Sequence, residues 1–312
     1  MPNEQTLRRA ITHWQLRSRS LPVGERTLVM GVVNITPDSF SDGGLYLDAG
    51  RAIDHALQLL EEGADLLDLG AESTRPGSHA GNGDKAAVSA DEEQARLLPV
   101  LEAVLKARPD AIISVDTYKA ATARAAVTAG AEIVNDVSGF TWDAEMPAAC
   151  AEMGCGVVLM HTRGTPDEWR SQARLKQETL LELVRDGLAA SLTAAKDAGI
   201  SLESIVLDPG YGFGKRLDAN YDLLARQAEL LALGRPLLAG LSRKSFLTRT
   251  LTKSAKSEQG LEDAKQFAEA LETASIAALV AAILAGASIV RVHAARAAVE
   301  AAAIADAVLA AR

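Results

Sequence analysis

Cysteine and excess positive charge are both scarce in this chain, and each scarcity argues against a class of protein. Only 2 of the 312 residues are cysteines, Cys150 and Cys155, so neither a disulfide framework nor a cysteine metal site is expected. We expect both to be buried free thiols in a reducing compartment. The net charge of −9 argues against nucleic acid as a partner, because contacts to phosphates need a basic surface. A small anionic substrate stays compatible with this charge, since it needs only a few local Lys or Arg side chains.

Signals for export and for a membrane are also lacking. Residues 1–10 contain no apolar signal core. We expect no uncharged apolar segment to approach the roughly 18 residues that a membrane span requires. The sequence therefore predicts a cytoplasmic protein that has no membrane partner.

Apolar segments that resemble strands alternate with amphipathic segments along the chain. The hydrophobic share of 48% allows a large core, and most strand candidates are continuous Val, Ile and Leu runs, which is typical of parallel strands covered on both faces. The predicted strands lie near residues 28–34, 65–70, 111–116, 132–136, 156–161, 204–208, 236–241 and 288–293. The predicted helices lie near residues 48–62, 91–107, 119–129, 143–153, 173–198, 219–232, 262–285 and 295–311. The polar segment 249–263 is predicted to be a flexible insertion.

Eight strand–helix units predict a fold of the α/β class, a (β/α)8 TIM barrel. We expect residues 28–312 to form this barrel as a single catalytic domain and residues 1–27 to form a short N-terminal extension. Within the extension, Thr12–Arg17 and Arg26–Val29 are expected to pair as a hairpin around Pro22–Gly24 that plugs the bottom of the barrel.

Polar residues stand at the C-terminal end of every predicted strand, where a barrel of this kind forms its active site. Any one of them alone, such as Asp116, Asn135 or Ser242, is equally well explained as a helix N-cap. Eight such endings around one rim are much harder to explain by capping. In strand order they are Asn34 and Thr36; Asp68 and residues 72–77; Asp116 and Thr117; Asn135 and Asp136; Met160 and His161; Asp208 and residues 209–215; residues 242–245; and residues 291–293.

The polar groups deep in the predicted barrel suit a planar heterocycle. Asp116, Asn135 and Asp208 offer carboxylates and one amide, which match an amino-pyrimidine edge. Phe213 and Met160 are suited to packing on the faces of such a ring. The pattern therefore indicates a site for an aromatic, nitrogen-rich ligand.

Positive charge near the mouth of the predicted barrel suits phosphate groups. It comes from Lys244, Arg291, His293 and Arg75. Together with the heterocycle pocket, this charge indicates a barrel enzyme for a heterocyclic and phosphorylated substrate.

Asn34 and Ser245 suit two further ligand groups. Asn34 offers an oxygen to Mg²⁺, which usually takes one or two protein ligands besides substrate phosphates. Ser245 stands at the predicted start of a helix, where backbone N–H groups attract a carboxylate or a phosphate.

Eight segments, one near each predicted strand end, form a set that is more specific than any single motif. They are MGVVNITPDSFSDGG (30–44), LDLGAESTRPGS (67–78), SVDTYKA (114–120), NDVSG (135–139), LMHTRGTP (159–166), LDPGYGFGK (207–215), GLSRKSF (240–246) and VRVHAAR (290–296). In content and order this set resembles dihydropteroate synthase of folate biosynthesis. The resemblance implies a reaction in which the diphosphate ester of 6-hydroxymethyl-7,8-dihydropterin condenses with 4-aminobenzoate, giving 7,8-dihydropteroate and diphosphate, with Mg²⁺ as the cofactor.

The resemblance also implies roles for individual residues. The implied catalytic residues are Asp208, Lys244, Arg291 and His293. The implied pterin pocket consists of Asp116, Asn135, Met160, Asp208, Phe213 and Lys244. The implied sites for diphosphate and aminobenzoate consist of Thr74, Arg75, Ser242, Ser245, Arg291 and His293, and the implied Mg²⁺ ligand is Asn34. The implied mobile loops are residues 35–44 and the loop that carries Thr74 and Arg75.

The resemblance further implies a sulfonamide target and a homodimer formed through the last two helices. The alanine-rich stretches Ala274–Ala285 and Ala294–Ala303 permit close contact between two copies, but the same faces are equally suited to packing on the barrel.

Two other functions stay open. A pterin-binding methyltransferase of the same fold would share the aspartates and the asparagine, but it would need neither segment 242–245 nor loop 73–77, both of which are present. A non-catalytic pterin-binding paralogue would be favoured by the loss of Lys244, Asn34 or the loop residues, and none of these is lost.

Overall fold

Eight parallel strands close into a barrel in the computed structural model, which describes residues 9–35, 45–75, 77–82, 88–173, 175–254 and 264–312. The described strands are β1 (Thr12–Gln15), β2 (Ser20–Val23), β3 (Leu28–Asn34), β4 (Leu66–Gly70), β5 (Ile113–Asp116), β6 (Ile133–Asp136), β7 (Gly156–Met160), β8 (Ile205–Asp208), β9 (Leu237–Ala239) and β10 (Ala287–Val292). The described helices are α1 (Leu45–Glu61), α2 (Ala90–Ala107), α3 (Ala120–Thr128), α4 (Met146–Met153), α5 (Gln177–Asp197), α6 (Ala219–Ala225), α7 (Ser245–Ser254), α8 (Ala264–Leu284) and α9 (Ala295–Ala310).

The barrel runs in sequence order from β3 to β10, and β10 pairs with β3 to close it. This order confirms the predicted TIM barrel. The strand register aligns Asn34 with Gly70, Gly70 with Asp116, and Asp116 with Asn135. Polar residues that are far apart in the sequence therefore end their strands at one level of the rim.

The continuous apolar runs of the strands are buried on both faces because alternate side chains point to opposite sides of a strand. On β7, Val157 belongs to the large core between strands and helices, whereas Val158 belongs to a separate core inside the barrel. The inner core also contains Met30, Ile133 and Ile289 from three other strands. The lower barrel is thus filled with apolar side chains, which leaves the C-terminal rim for polar ones.

The N-terminal hairpin forms at positions other than those predicted. β1 pairs with β2 in antiparallel register, so the turn lies at residues 16–19, not at Pro22–Gly24. The expected second strand, Arg26–Val29, was wrong because Val29 pairs instead with Val290 in the barrel.

The turn of this hairpin and one of its side chains are held by the barrel. Glu132 accepts hydrogen bonds from the backbone N–H of Ser18, at 2.9 Å, and from its hydroxyl. Trp14 is fully buried in the inner core and donates from Nε1 to the carbonyl of Ser204 over 2.9 Å. The hairpin therefore packs on the inner core at the N-terminal ends of the strands.

The predicted flexible insertion at 249–263 is partly wrong. Its first residues continue α7, whose Phe246 and Leu247 are buried and anchor the helix to the core. Residues 255–263 lie outside the described part of the chain, as do residues 36–44 of the first predicted mobile loop.

One helix among the described residues, α8, is long and apolar enough over Lys265–Leu284 to cross a membrane by length and composition alone. The expectation that no segment would approach this length was therefore wrong. α8 packs against α7, α9 and β10, and core helices of soluble proteins pass the same test. Composition alone therefore does not indicate a membrane span here.

Candidate active site

A group of charged and polar side chains joined by hydrogen bonds occupies the centre of the barrel mouth. Arg291 on β10 reaches two carboxylates: its Nε donates to Asp68 Oδ2 over 2.6 Å, and its Nη2 donates to Asp116 Oδ2 over 2.8 Å. Asp68 also accepts hydrogen bonds from Ser114 Oγ at 2.6 Å and from Asn135 Nδ2 at 2.9 Å. Residues from β4, β5, β6 and β10 thus form one connected network.

Burial changes the charge balance of this network. It raises the pKa of Asp116 to about 7, an effect that Arg291 opposes and Asp68 reinforces. Burial lowers the pKa of Arg291, but the charges of Asp68 and Asp116 outweigh this effect and raise it overall. The guanidinium therefore stays charged, whereas Asp116 can take up a proton near neutral pH.

Asp208 ends β8 opposite Met160 of β7 and is also buried. Its Oδ1 accepts a hydrogen bond from the backbone N–H of Gly210 at 2.7 Å. Burial raises the pKa of Asp208, opposed by that hydrogen bond and by the charge of Lys244. Gly210 has a φ of 70°, and a Cβ there would lie 2.0 Å from the carbonyl oxygen of His161, so only glycine fits this turn.

The glycine-rich loop after β8 is held by side chains at several points. Asn220 Oδ1 accepts from the N–H of Gly212 at 2.7 Å, and Asn220 Nδ2 donates to the carbonyl of Lys215 over 3.0 Å. Lys215 Nζ donates to the carbonyl of His161 over 2.6 Å, and burial lowers the pKa of Lys215 well below its usual value. These contacts fix the loop that carries Phe213.

Phe213 and Lys244 form one wall of the mouth. Lys244 Nζ lies 4.1 Å from the centroid of the Phe213 ring, and Phe213 meets Trp169 edge to face at 5.0 Å between ring centroids. Met160 belongs to the same apolar cluster as Phe213 and Tyr118. Burial lowers the pKa of Lys244 to about 8. An apolar surface therefore lies beside the acidic groups, as expected for a ring-binding pocket.

Ser242 and His293 lie together at the ends of β9 and β10. Ser242 Oγ is 2.9 Å from His293 Nδ1 and accepts from the backbone N–H of His293 at 3.4 Å. Burial and the nearby cation of Arg243 lower the pKa of His293 to about 3, so its imidazole is neutral at physiological pH. Ser245 is exposed at the first residue of α7.

Thr74 and Arg75 lie on the segment after β4, where Arg75 is exposed and Thr74 is half-buried. None of the hydrogen bonds found within the described residues joins either side chain to the central network. The segment is held just before these two residues, at Glu72, which forms an ion pair with Lys119 and accepts a 3.3 Å hydrogen bond from Tyr118. The structure thus places this segment at the rim without bringing its two predicted ligand residues to the centre.

Asn34 ends β3 and is half-buried at the level of Gly70 on the rim. Within the described ranges, no group of three or more His, Cys, Asp or Glu side chains could hold a metal ion by itself. Asn34 offers a single amide oxygen at a barrel mouth that suits phosphates. This arrangement fits Mg²⁺, because the ion keeps several waters and shares its coordination with substrate phosphates.

Asp68, Ser114 and Lys215 have no predicted role, yet the structure places them around the predicted residues. A signal for Asp68 was present, because a carboxylate inside the apolar strand segment LLDLG is rarely buried without partners. Lys215 carried no such signal, since it follows a polar and glycine-rich loop.

Comparisons with known proteins give one consistent result. The model of the family described as pterin binding enzyme matches residues 30–293. The dihydropteroate synthase of Escherichia coli (strain K12) is 39% identical over 284 residues, which are 91% of this chain and 92% of that protein. The structure of Xanthomonas albilineans dihydropteroate synthase with 4-aminobenzoic acid has a TM-score of 0.82 and 37% identity, covering 96% of this chain and 99% of that one. A Yersinia pestis dihydropteroate synthase in complex with a sulfonamide drug has a TM-score of 0.81 and 37% identity, covering 96% and 100%.

Proposed function

This chain belongs to the family of pterin binding enzymes, and we propose that it catalyses the dihydropteroate synthase reaction. In this reaction, 6-hydroxymethyl-7,8-dihydropterin diphosphate and 4-aminobenzoate give 7,8-dihydropteroate and diphosphate. The C–O bond to diphosphate breaks, the C–N bond to the arylamine forms, and the proton lost from nitrogen leaves with diphosphate or solvent. The observation that carries the proposal is the rim of Asp116, Asn135 and Asp208 beside an apolar wall.

The pterin ring is proposed to bind between these acidic groups and the wall. Asp116, Asn135 and Asp208 face its amino-pyrimidine edge, while Met160 and Phe213 pack against its faces. This arrangement is supported by the burial of both aspartates, because a buried carboxylate is stabilised when a ligand donates hydrogen bonds to it.

The diphosphate is proposed to bind near Arg291 and His293. Arg291 is committed to Asp68 through Nε and to Asp116 through Nη2, and no hydrogen bond among the described residues involves its Nη1. The neutral His293, with Nδ1 near Ser242, can offer Nε2 to an oxygen of the leaving group. Asn34 is the residue that would hold Mg²⁺, which neutralises charge on the leaving diphosphate when it is bound.

Asp208 and Lys244 are proposed to act on the ring during catalysis. As the C–O bond breaks, positive charge develops on the methylene carbon and spreads into the electron-rich dihydropterin. The Asp208 carboxylate stabilises this charge in a site where burial strengthens the interaction. Lys244 hydrogen-bonds the ring from the wall that it shares with Phe213.

The aminobenzoate is proposed to bind nearer the surface. Its carboxylate is suited to Ser245 and the N-terminal turn of α7, where the backbone N–H groups attract anions. Thr74 and Arg75 lie on the segment proposed to close over this substrate and exclude water. A sulfonamide, which mimics an aminobenzoate, is expected to compete for the same place.

We also propose a cytoplasmic homodimer formed through α8 and α9. Only 28% of the residues in the most apolar stretch of α8 are fully buried, and on α9 the side chains of Ile304 and Val308 are 69% and 44% exposed. Apolar surface of this kind on two adjacent helices is typical of a protein interface.

The deciding experiment supplies the pterin diphosphate and radiolabelled 4-aminobenzoate to the purified protein, with Mg²⁺ or with a chelator. Labelled dihydropteroate should form, and only when Mg²⁺ is present. A well-folded protein that makes no labelled product would refute the proposed function. Equal product with the chelator would refute only the role of Mg²⁺.

The roles of Asp208 and Lys244 are tested by their alanine variants. Asp208→Ala and Lys244→Ala should each lower kcat at least a hundredfold, because each removes an interaction with the reacting ring, while circular dichroism stays native. Asp197→Ala, which changes an exposed carboxylate at the end of α5, is the matched control and should keep the wild-type rate. A near-normal rate in either site variant would remove that residue from the mechanism.

A further inference from the structure

Asp68 is a completely buried carboxylate that makes three hydrogen bonds and that the proposed mechanism does not use. Its Oδ1 accepts from Ser114 Oγ at 2.6 Å. Its Oδ2 accepts from Asn135 Nδ2 at 2.9 Å and from Arg291 Nε at 2.6 Å. Ser114 lies beside it on β5, whereas Asn135 and Arg291 belong to the proposed substrate site.

The chemistry of a carboxylate decides how these two neighbours are oriented. An ionised carboxylate only accepts hydrogen bonds, so the Asn135 amide must turn its NH₂ group towards Asp68. One N–H of Nδ2 is then used by Asp68, and the carbonyl Oδ1 and the second N–H of Asn135 remain for a ligand. In the same way, Arg291 is held through Nε, which directs its terminal nitrogens towards Asp116 and the mouth.

We propose that Asp68 is a positioning residue that orients Asn135 and Arg291, so that the Asn135 amide presents its Oδ1 and one N–H to the heterocycle edge in a fixed arrangement. This inference rests on the proposed function. With Asn135 offering an acceptor beside one N–H donor, and with Asp116 and Asp208 accepting when ionised, the pocket selects a ring edge whose donors and acceptors match this pattern. A heterocycle whose donors and acceptors do not match this pattern would leave buried groups unpaired and be rejected.

Two variants of Asp68 separate positioning from simple packing. Asp68→Leu keeps the approximate volume but removes every acceptor, which leaves Asn135 and Arg291 without their partner. Asp68→Asn keeps one acceptor oxygen for them, because the Ser114 hydroxyl can turn to accept from the new amide. Ser114→Ala is the matched control, since it removes a hydrogen bond of similar length from the other oxygen of the same carboxylate.

Binding of pteroic acid, measured by calorimetry between pH 5.5 and 9, is the main readout. Asp68→Leu should bind at least a hundredfold more weakly than wild type, Asp68→Asn within about tenfold and Ser114→Ala within about fivefold. Wild-type binding of Asp68→Leu, or an equal loss in Asp68→Leu and Ser114→Ala, would overturn the proposal. Failure of the wild-type protein to bind pteroic acid would instead count against the proposed function.

The pH dependence gives a signature that a purely structural role would not produce. The charged groups that act on Asp116 are Arg291, Asp68, Glu93 and Lys244, and Asp68 raises its pKa. Removing the charge in Asp68→Asn should therefore shift the midpoint of the pH-dependent binding down by at least half a pH unit, whereas Ser114→Ala should leave it in place. An unshifted midpoint in Asp68→Asn would contradict the proposal.

A crystal structure of the wild-type complex with pteroic acid provides a test that does not depend on the folding of any variant. Arg291 Nε and Asn135 Nδ2 should remain on Asp68 while the ligand occupies the pocket. Separation of Arg291 from Asp68 in the complex would overturn the positioning role.

Discussion

At the scale of single residues, burial sets the charges of Asp116 and Lys244 at the barrel mouth. It raises the pKa of Asp116 from 3.8 to about 7 and lowers the pKa of Lys244 from 10.5 to about 8. Both shifts lower the stability of the folded protein at neutral pH. The free energy of unfolding falls as pH rises from 3.8 to about 7, because the unfolded chain ionises Asp116 first. It also falls as pH decreases from 10.5 to about 8, because the unfolded chain protonates Lys244 first. Such opposed shifts are common at functional sites.

These shifts predict a bell-shaped pH profile of kcat/KM for the pterin diphosphate. The rate should rise through about pH 7 as Asp116 ionises and fall through about pH 8 as Lys244 loses its proton. Lys244→Arg keeps the positive charge at all these pH values, so the falling limb should disappear, even if the maximum rate is lower. Lys253→Arg, an exposed lysine on α7, should keep both limbs. A falling limb that persists unchanged in Lys244→Arg would assign it to another group.

At the scale of elements, the segment after β4 is tied to the helices by a buried ion-pair network. Lys119, just before α3, pairs with Glu72 on the segment and with Glu93 on α2, the latter at 3.2 Å. Thr122 Oγ1 donates to Glu93 Oε2 over 2.7 Å. The rim segment that carries Thr74 and Arg75 is therefore fixed at its base by side chains from two helical regions.

Breaking this network should destabilise the protein, because two buried carboxylates lose their cation. Lys119→Met should lower the free energy of unfolding by about 3 kcal/mol, measured by urea denaturation. The control Lys106→Met changes an exposed lysine in the last turn of α2 and should stay within about 0.5 kcal/mol. Equal effects in the two variants would show that the network contributes no stability of its own.

The N-terminal hairpin is a second element whose contribution can be measured. Trp14 is fully buried in the inner core and hydrogen-bonded to Ser204, so Trp14→Ala should cost about 3–5 kcal/mol of unfolding free energy. Ile11→Ala, at a side chain that is 67% exposed, is the matched control and should change little. If Trp14→Ala unfolds at the same urea concentration as Ile11→Ala, the hairpin does not stabilise the barrel.

At the scale of the whole molecule, the proposed dimer surface includes Ile304 and Val308, two exposed apolar side chains of α9, which packs against α8. Ile304→Glu should convert the proposed dimer to a monomer, because it places a charge among apolar side chains, and sedimentation velocity should show the change. Leu202→Glu, at an exposed leucine before β8, is the control and should leave the mass unchanged. A wild-type protein that sediments as a monomer at micromolar concentration would refute the dimer.

The sequence by itself determined the architecture, the family and the rim positions of most predicted site residues. Alternating apolar and amphipathic segments are local signals, and polar residues after a strand stand at its C-terminal end in any barrel of this kind. Asp116, Asn135, Asp208 and Arg291 therefore lie at the predicted strand ends. The predicted position of the hairpin was wrong because pairing within the extension competes with pairing in the barrel. The local sequence pattern does not indicate which of the two pairings forms.

Only the tertiary structure decided which side chains touch. Arg291 and Asp68 are 223 residues apart in the sequence and meet only because β10 closes the barrel against β3, beside β4. That closure commits Arg291 to two carboxylates, turns the Asn135 amide towards Asp68 and shifts the pKa of Asp116. Hydrogen bonding and desolvation act over a few ångströms in space, so residue types and spacing place the groups on a rim, and the fold sets their partners and charges.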